Sequence, residues 1–351
     1  MKYLVMASFI GSTLTGYGQS TRLHYTVAQW QGAKAAAVSI TFDDCMPSQF
    51  QNAVPVLNAA PGKIPATFFL TGKSIGANAA SIMQAYQAGH EIANHSYTHP
   101  PKLTDLGEAE IDSELKHCQE ATYQLFGKPV SYTMAYPNGS GQGHEPKDDA
   151  VRKILKNYFI GARATQIKAS RINEYRWEEP FTNDSYYRVN SAMMSDSFSV
   201  ADFSNDLAEA IKKGGWYCAT YHGIEAGWII TSKALFAAHI DALRSKRDDL
   251  WIATFRDVVA YHKERSSSSL SVVSESRRKW RLFLTDTLPD NTAYNVPLTI
   301  RIKIPSAWII KSIKQNRKTL VYQLEGDIIQ FDAVPDAGAI VFKKIRHVLL
   351  K

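Results

Sequence analysis

Cysteine is scarce in this chain: Cys45, Cys118 and Cys218 are the only three in 351 residues. An odd, widely spaced trio excludes a disulfide scaffold and any zinc module built from paired cysteines. One bridge stays open, and the spacing does not choose its pair. Charge of one sign is also lacking over most of the chain. Of 40 Lys and Arg, 14 lie between Ser271 and Lys351, against 7 of the 33 Asp and Glu, so the net +7 belongs to that last part and the rest is balanced. A basic surface there suits solubility or an anionic glycan, and no nucleic-acid-binding module accompanies it.

Other absences narrow the chemistry. Beyond Ser20 no apolar run approaches the ~20 residues that cross a bilayer, so no transmembrane segment is expected. No Gly-x-Ser-x-Gly elbow prepares a serine nucleophile. Gly139-Ser140-Gly141-Gln142-Gly143 lacks the Lys-Ser/Thr of a phosphate loop and the full dinucleotide fingerprint, which makes it a flexible glycine-rich loop. No internal repeat is visible.

What is present begins with an export signal. Lys2, the apolar run Tyr3 to Leu14, and small residues at Gly16 and Gly18 predict a cleavable signal peptide over residues 1–18 and a periplasmic or extracellular protein. With 45% hydrophobic and 21% charged residues, the remainder can bury a core.

Short apolar or β-branched runs at Ala36–Phe42, Ala66–Thr71, Glu91–Asn94, Ser131–Tyr136, Tyr158–Ala164, Tyr186–Asn190, Trp216–Tyr221 and Leu250–Thr254 read as strands. Helical patterns lie between them, among them Glu108–Phe126, Pro146–Asn157, Phe203–Lys213 and Thr231–Lys246. Repeated βα units predict an α/β fold, a (β/α) barrel over residues 33–264, with an open doubly wound sheet as the alternative. After a last helix at Phe255–Glu264, residues 265–270 form a serine-rich linker by composition. Residues 271–351 alternate apolar and polar positions between turns and predict a small all-β, sandwich-like domain.

The reactive side chains follow predicted strands, the end where barrel enzymes carry their sites. Asp43 and Asp44 close the first strand; His95 and His99 follow the third; His222 follows Trp216–Tyr221. Two imidazoles and one carboxylate form a common catalytic ligand set for zinc-like ions, with a coordination position left open. The second carboxylate is then free to act as a base, and the combination points to hydrolysis.

These motifs resemble the NodB-homology polysaccharide deacetylases, carbohydrate esterase family 4, over roughly Ala35 to His262. Thr41-Phe42-Asp43-Asp44 looks like the family's first motif, His95-Ser96-Tyr97-Thr98-His99 its second and Tyr221-His222-Gly223 its last. The resemblance implies a distorted barrel of the family's type and assigns Asp44, His95 and His99 to one divalent metal, Zn2+ by ligand type, with Co2+, Ni2+ or Fe2+ also acceptable. It implies Asp43 as general base and His222 as the acid that protonates the leaving group.

Met134-Ala135-Tyr136-Pro137-Asn138-Gly139 stands at the third motif but departs from it. Ala135 occupies the usual arginine position and Asn138 the usual aromatic one. The backbone N–H of Asn138 can still serve an oxyanion, with Tyr136 and Pro137 as supporting residues. The missing arginine would contact the base, and Arg163, at the end of the next strand, is the candidate to replace it. Asp184 and Asp196 both remain as partners for His222. Trp216 and Trp228 are the candidate aromatic walls, Trp228 the stronger because it follows His222 in a loop. The implied substrate is an acetylated carbohydrate, N-acetylated above all. An O-acetyl ester, a catalytically silent glycan binder, and a hydrolase of small C–N substrates are the alternatives.

Overall fold

The computed structural model describes residues 24–143, 145–165, 171–174, 184–276, 278–289, 293–306 and 308–346. The expected signal peptide lies outside them. Strand β1 (Tyr25–Val27) precedes β2 (Ala36–Phe42), whose seven residues are all buried. A strand covered on both faces buries every position, and the two hydroxyls of β2 are satisfied inside, Ser39 Oγ accepting from Trp216 Nε1 (3.1 Å) and Thr41 Oγ1 donating to the Ala219 carbonyl (3.0 Å).

Strands β3 (Ala66–Leu70), β4 (Glu91–Asn94), β5 (Thr133–Ala135) and β6 (Gly161–Arg163) continue from β2 in parallel, each paired with its predecessor. After β7 (Ile172–Asn173) and β8 (Ala192–Met193) comes β9 (Trp216–Tyr221), parallel to the other side of β2. The curl closes where Val189 bridges to β6 and β8 pairs with β9. Strand β10 (Leu250–Ile252) lies parallel to the first half of β2. The helices are α1 (Val54–Asn58), α2 (Ile75–Gln87), α3 (Glu108–Phe126), α4 (Pro146–Leu155), α5 (Val200–Lys213), α6 (Lys233–Ser245) and α7 (Phe255–Ser267). The result is the distorted (β/α) barrel, not an open doubly wound sheet. Local signals set its helix ends: Ser199 caps α5 through the N–H of Asp202, and Gly214 (φ 64°) terminates it in the left-handed conformation.

The all-β part follows as β11 (Ser269–Glu275), β12 (Lys279–Thr285), β13 (Leu298–Lys303), β14 (Trp308–Gln315), β15 (Lys318–Leu320), β16 (Tyr322–Glu325), β17 (Ile328–Ala333) and β18 (Ile340–Arg346). One sheet runs β11-β12-β18-β14-β15 and the other β1-β13-β17-β16. Phe331 and Phe342 meet across the sheets edge to face, 5.4 Å apart. The N-terminal β1 therefore belongs to the C-terminal sandwich, pairing Tyr25 with Ile302. One apolar core runs from Phe69 and Trp216 through Phe255 and Tyr261 to Leu298 and Ile300, so sandwich and barrel are not separately packed.

Three expectations need correction. The serine run is no irregular linker: Ser266 and Ser267 bond back to the carbonyls of His262 and Lys263, α7 continues to Ser267, and β11 starts at Ser269. Residues 186–190 are not a strand. Tyr186 and Tyr187 sit in a short 3-10 turn, where Tyr186 Oη bonds the His262 ring (2.7 Å) and Tyr187 Oη bonds the Phe159 carbonyl (2.5 Å). The glycine-rich loop is stapled: Ser140 Oγ accepts from Leu103 N (2.8 Å), and the buried Arg152 donates to the carbonyls of Gly141 and Gly143.

Glu264 marks the junction of the two parts. Its fully buried carboxylate accepts the N–H groups of Asn295 and Val296. Burial pushes its pKa up to about 7 against those hydrogen bonds. The folded state therefore holds a proton that the unfolded chain gives up at its ordinary value of 4.5, so stability falls as pH rises through that window and stays low above it. Glu264→Gln should flatten the slope, gaining on the order of 1–3 kcal/mol at pH 8 relative to pH 5 in urea unfolding. An unchanged pH slope would refute this.

Candidate metal and catalytic site

Two strand ends carry the donors on strained backbone. Past β2, Asp43 N donates to Tyr221 O (3.1 Å), and the chain turns through Asp44 (φ 76°) and Cys45 (φ 62°). Past β4, Ser96 (φ 63°) and His99 (φ 57°) are also left-handed. Such conformations cost non-glycine residues about 1–3 kcal/mol each and persist where surrounding structure enforces them. Here Asn94 Oδ1 accepts from Ser96 N (2.8 Å), Ser96 Oγ from His99 N (3.1 Å), and Glu114 of α3 from the N–H groups of Tyr97 and Thr98.

These turns bring the donors of Asp44, His95 and His99 within 4.8 Å of one another. The Nε2 atoms of His95 and His99 each lie 3.4 Å from the same Asp44 oxygen. His95 Nδ1 is 2.9 Å from the carbonyl of Ala135, which fixes that nitrogen as the protonated one and turns the Nε2 lone pair inward. The donor set fits a divalent ion of the zinc type.

Burial and the neighbouring His95 hold His99 below its ordinary pKa. For His95 burial acts in the same direction, but Asp43 and Asp44 outweigh it and raise the value. Asp44 is likewise opposed by burial, yet His95, His222 and His99 hold it low, so its carboxylate is ionised at neutral pH.

Asp43 is buried beside this set, its Oδ2 3.9 Å from both His95 Nε2 and His222 Nε2. Arg163, fully buried at the end of β6, donates to that oxygen. Its guanidinium also donates to Ser191 Oγ (3.0 Å) and the Ala164 carbonyl (3.2 Å) and lies 5.3 Å from the Phe69 ring. His222 Nε2 is 4.0 Å from Asp44 Oδ2, and burial lowers its pKa despite the nearby carboxylates. Its Nδ1 is buried with no hydrogen-bond partner among the described residues.

Neither carboxylate considered as its partner serves it: Asp184 pairs with Arg152 and Lys156, and Asp196 accepts from Ser232 N. Gln49, which sequence reasoning missed, donates through Nε2 to the backbone carbonyls of both Asp43 and His222. It thereby ties the ends of β2 and β9 together. Ser191 was missed as well, since nothing in residue type marks a buried serine that seats an arginine.

Asn138 is exposed on a left-handed backbone (φ 49°) in the turn after Pro137, at the same strand end. Tyr136 points into the core, its hydroxyl bonded to Tyr187 O (2.8 Å). Trp216 is fully buried, bonded to Ser39, and walls no open pocket. Trp228 is 59% exposed and meets His222 edge to face at 5.2 Å. The next residue, Ile229, adopts φ 46°, an outlier for a β-branched residue. Ser48 Oγ to Ala226 O (2.7 Å) and Gly223 N to Trp228 O (2.9 Å) brace that loop. All three cysteines are free and buried. No helix among the described residues is long and apolar enough to cross a membrane.

Comparison with known proteins adds a family. A gellan lyase from a Bacillus species is 25% identical over 342 residues, which cover 89% of this chain and 13% of that protein. A chitooligosaccharide deacetylase from a Bradyrhizobium species is 30% identical over 103 residues, 29% of this chain and 46% of that one. The chain thus spans less than half the length of either relative. A family 4 carbohydrate esterase from Streptomyces lividans, solved in complex with acetate, is 22% identical with a TM-score of 0.41, covering 62% of this chain and 92% of that one. Residues 31–160, the stretch that carries Asp43, Asp44, His95 and His99, match the family model described as polysaccharide deacetylase, the family whose motifs these residues resemble.

Proposed function

We propose that the chain removes acetyl groups from a carbohydrate by metal-dependent hydrolysis, with an N-acetylated amino-sugar polymer or oligomer as substrate. The observation that carries this is the convergence of Asp44, His95 and His99 with the Arg163-bound Asp43 and with His222 at one end of the barrel. Residues 33–264 are then the deacetylase unit and residues 271–351 the appended sandwich, and the protein acts outside the cytoplasm.

Asp44, His95 and His99 would hold the cation, which when bound supplies Lewis acidity, making water more acidic and polarising an acetyl carbonyl. Asp43 takes the proton of the attacking water. His222, on the other side of the carboxylate pair, protonates the departing nitrogen, which an amine needs because it leaves poorly as an anion. The Asn138 N–H meets the developing oxyanion, and Trp228 offers an apolar wall to the sugar or the acetyl group.

A second reading, hydrolysis of O-acetyl esters as in acetylated xylan, draws on the buried Nδ1 of His222. No group among the described residues accepts a hydrogen bond from that nitrogen, burial outweighs the carboxylates that favour the imidazolium, and an alkoxide-type leaving group asks less of the acid than an amine does. Acetate release from chitooligosaccharides and from acetylxylan, before and after chelation and after zinc is restored, tests both. Release that chelation stops and zinc restores is expected, and the preferred substrate separates the two. Release insensitive to chelation, or none from either substrate in zinc-loaded protein, would overturn the proposal.

A further inference from the structure

We infer that the outer face of the five-stranded sheet binds a carboxylate-bearing polysaccharide, an attachment surface separate from the barrel site. Along β12, β18 and β14 the inner positions Trp280, Leu282, Phe342, Ile340 and Ile313 are buried, and the alternate positions face solvent. Register places Lys279 opposite Lys343, and Arg281 opposite Val341, which in turn faces Lys314. Lys311 adds a fifth exposed cation at the bulge in β14. The remaining positions of this face hold Ser269, Ser271, Ser274, Phe283, Thr285, Ser312 and Thr319, with Val273 exposed at the bulge in β11 and Ile309 and Ile345 paired at one end. No Asp or Glu occupies any of them.

The pattern is not what a merely soluble surface requires. Such a surface intersperses both signs, and like charges directly opposite on neighbouring strands destabilise the sheet. None of the five cations has an ion pair among the described residues, whereas Lys344 on the inner side is paired with Glu275 at 2.6 Å. The sheet's only acidic strand residue is thus taken up on the other face.

Strand spacing of about 4.8 Å and an i to i+2 repeat of about 7 Å set these charges at intervals comparable to the length of a sugar unit. Rows of cations at that spacing complement a linear polyanion along its length. The occupant follows from the barrel: this inference rests on the reading of that site as one that acts on polysaccharide, and a surface holding the polymer would raise its concentration there. The exposed aliphatic residues of this sheet, Val272 and Val273 in β11 and Ile309 and Ile345 at one corner, lie apart and are too few to anchor the face in lipid.

The test measures binding of the full chain to polygalacturonate by affinity electrophoresis and titration calorimetry at ~20 mM and ~0.3 M salt, since exposed charge contacts are screened. Binding at low salt that weakens at high salt is expected. The triple substitution Lys279→Ser/Arg281→Ser/Lys343→Ser should weaken it at least about tenfold, with thermal unfolding and acetate release from soluble chitooligosaccharide unchanged. No affinity at low salt, affinity untouched by the substitutions, or tighter binding to phosphatidylglycerol vesicles or duplex DNA than to polygalacturonate would overturn it. A chain that binds the polymer but releases no acetate fails the barrel reading and leaves this one standing; the converse fails this one alone.

Discussion

Asp43→Asn should lower kcat for acetate release by about 10²- to 10⁴-fold, the usual contribution of a positioned proton acceptor, while leaving metal stoichiometry unchanged. The carboxamide keeps the shape of the side chain and an oxygen for Arg163 to donate to, but it cannot take a proton from water. Asp43 is also not in the ligand set, its nearest approach to a donor imidazole being 3.9 Å. Asp44→Asn makes the contrast. It removes the charged member of the three donors that lie within 4.8 Å of one another, so activity and metal should be lost together. The two neighbours in sequence thus separate by readout: calorimetric titration with zinc distinguishes them, and the Asp43 loss should fall on kcat with KM little moved. If Asp43→Asn kept more than about a tenth of kcat, a base contributing ~10² or more would have to be sought elsewhere.

The donors were legible because chemistry restricts residue type. Few residues can bind a dication or move a proton, and the Asp43-Asp44 pair, the His95 to His99 spacing and His222 each follow a buried run that reads as a strand. Helix α3 was legible to the residue, with Gly127 ending it at φ 66°. What escaped was set by partners distant in sequence. Nothing local in Tyr25–Val27 says that it will pair with β13, and the alternation within residues 271–351 does not announce the break at Val321 that puts β15 and β16 in different sheets. Gln49 and Ser191 escaped for a different reason. Their work is to anchor backbone carbonyls or another side chain, a task many polar residues can do, so identity alone carries no signal. The left-handed backbone at Asp44, Ser96 and His99 was equally hidden, since only glycine advertises that conformation.

The arginine at Asp43 leads to the second large effect. Ala135 stands where the motif resemblance calls for an arginine, and its carbonyl here orients His95, while Arg163, one strand further on, donates to Asp43. Both charges are buried, so removing one strands the other: Arg163→Met should destabilise the protein by about 3–5 kcal/mol and lower acetate release as well. Arg163→Lys should recover only part of either, because an ammonium lacks the planar fork that reaches Asp43, Ser191 and the Ala164 carbonyl together. The double variant Asp43→Asn/Arg163→Met leaves no unpaired charge, and Ser191 keeps its own bond to Ala164 O (2.7 Å). It should therefore be more stable than Arg163→Met alone, with a coupling of ~1–3 kcal/mol, yet no more active than Asp43→Asn. Restored stability without restored turnover would show that the ion pair holds a proton acceptor in place and is not itself needed for folding. Strictly additive losses in denaturant unfolding would mean that Arg163 and Asp43 do not depend on each other, and the relocated arginine would lose its role.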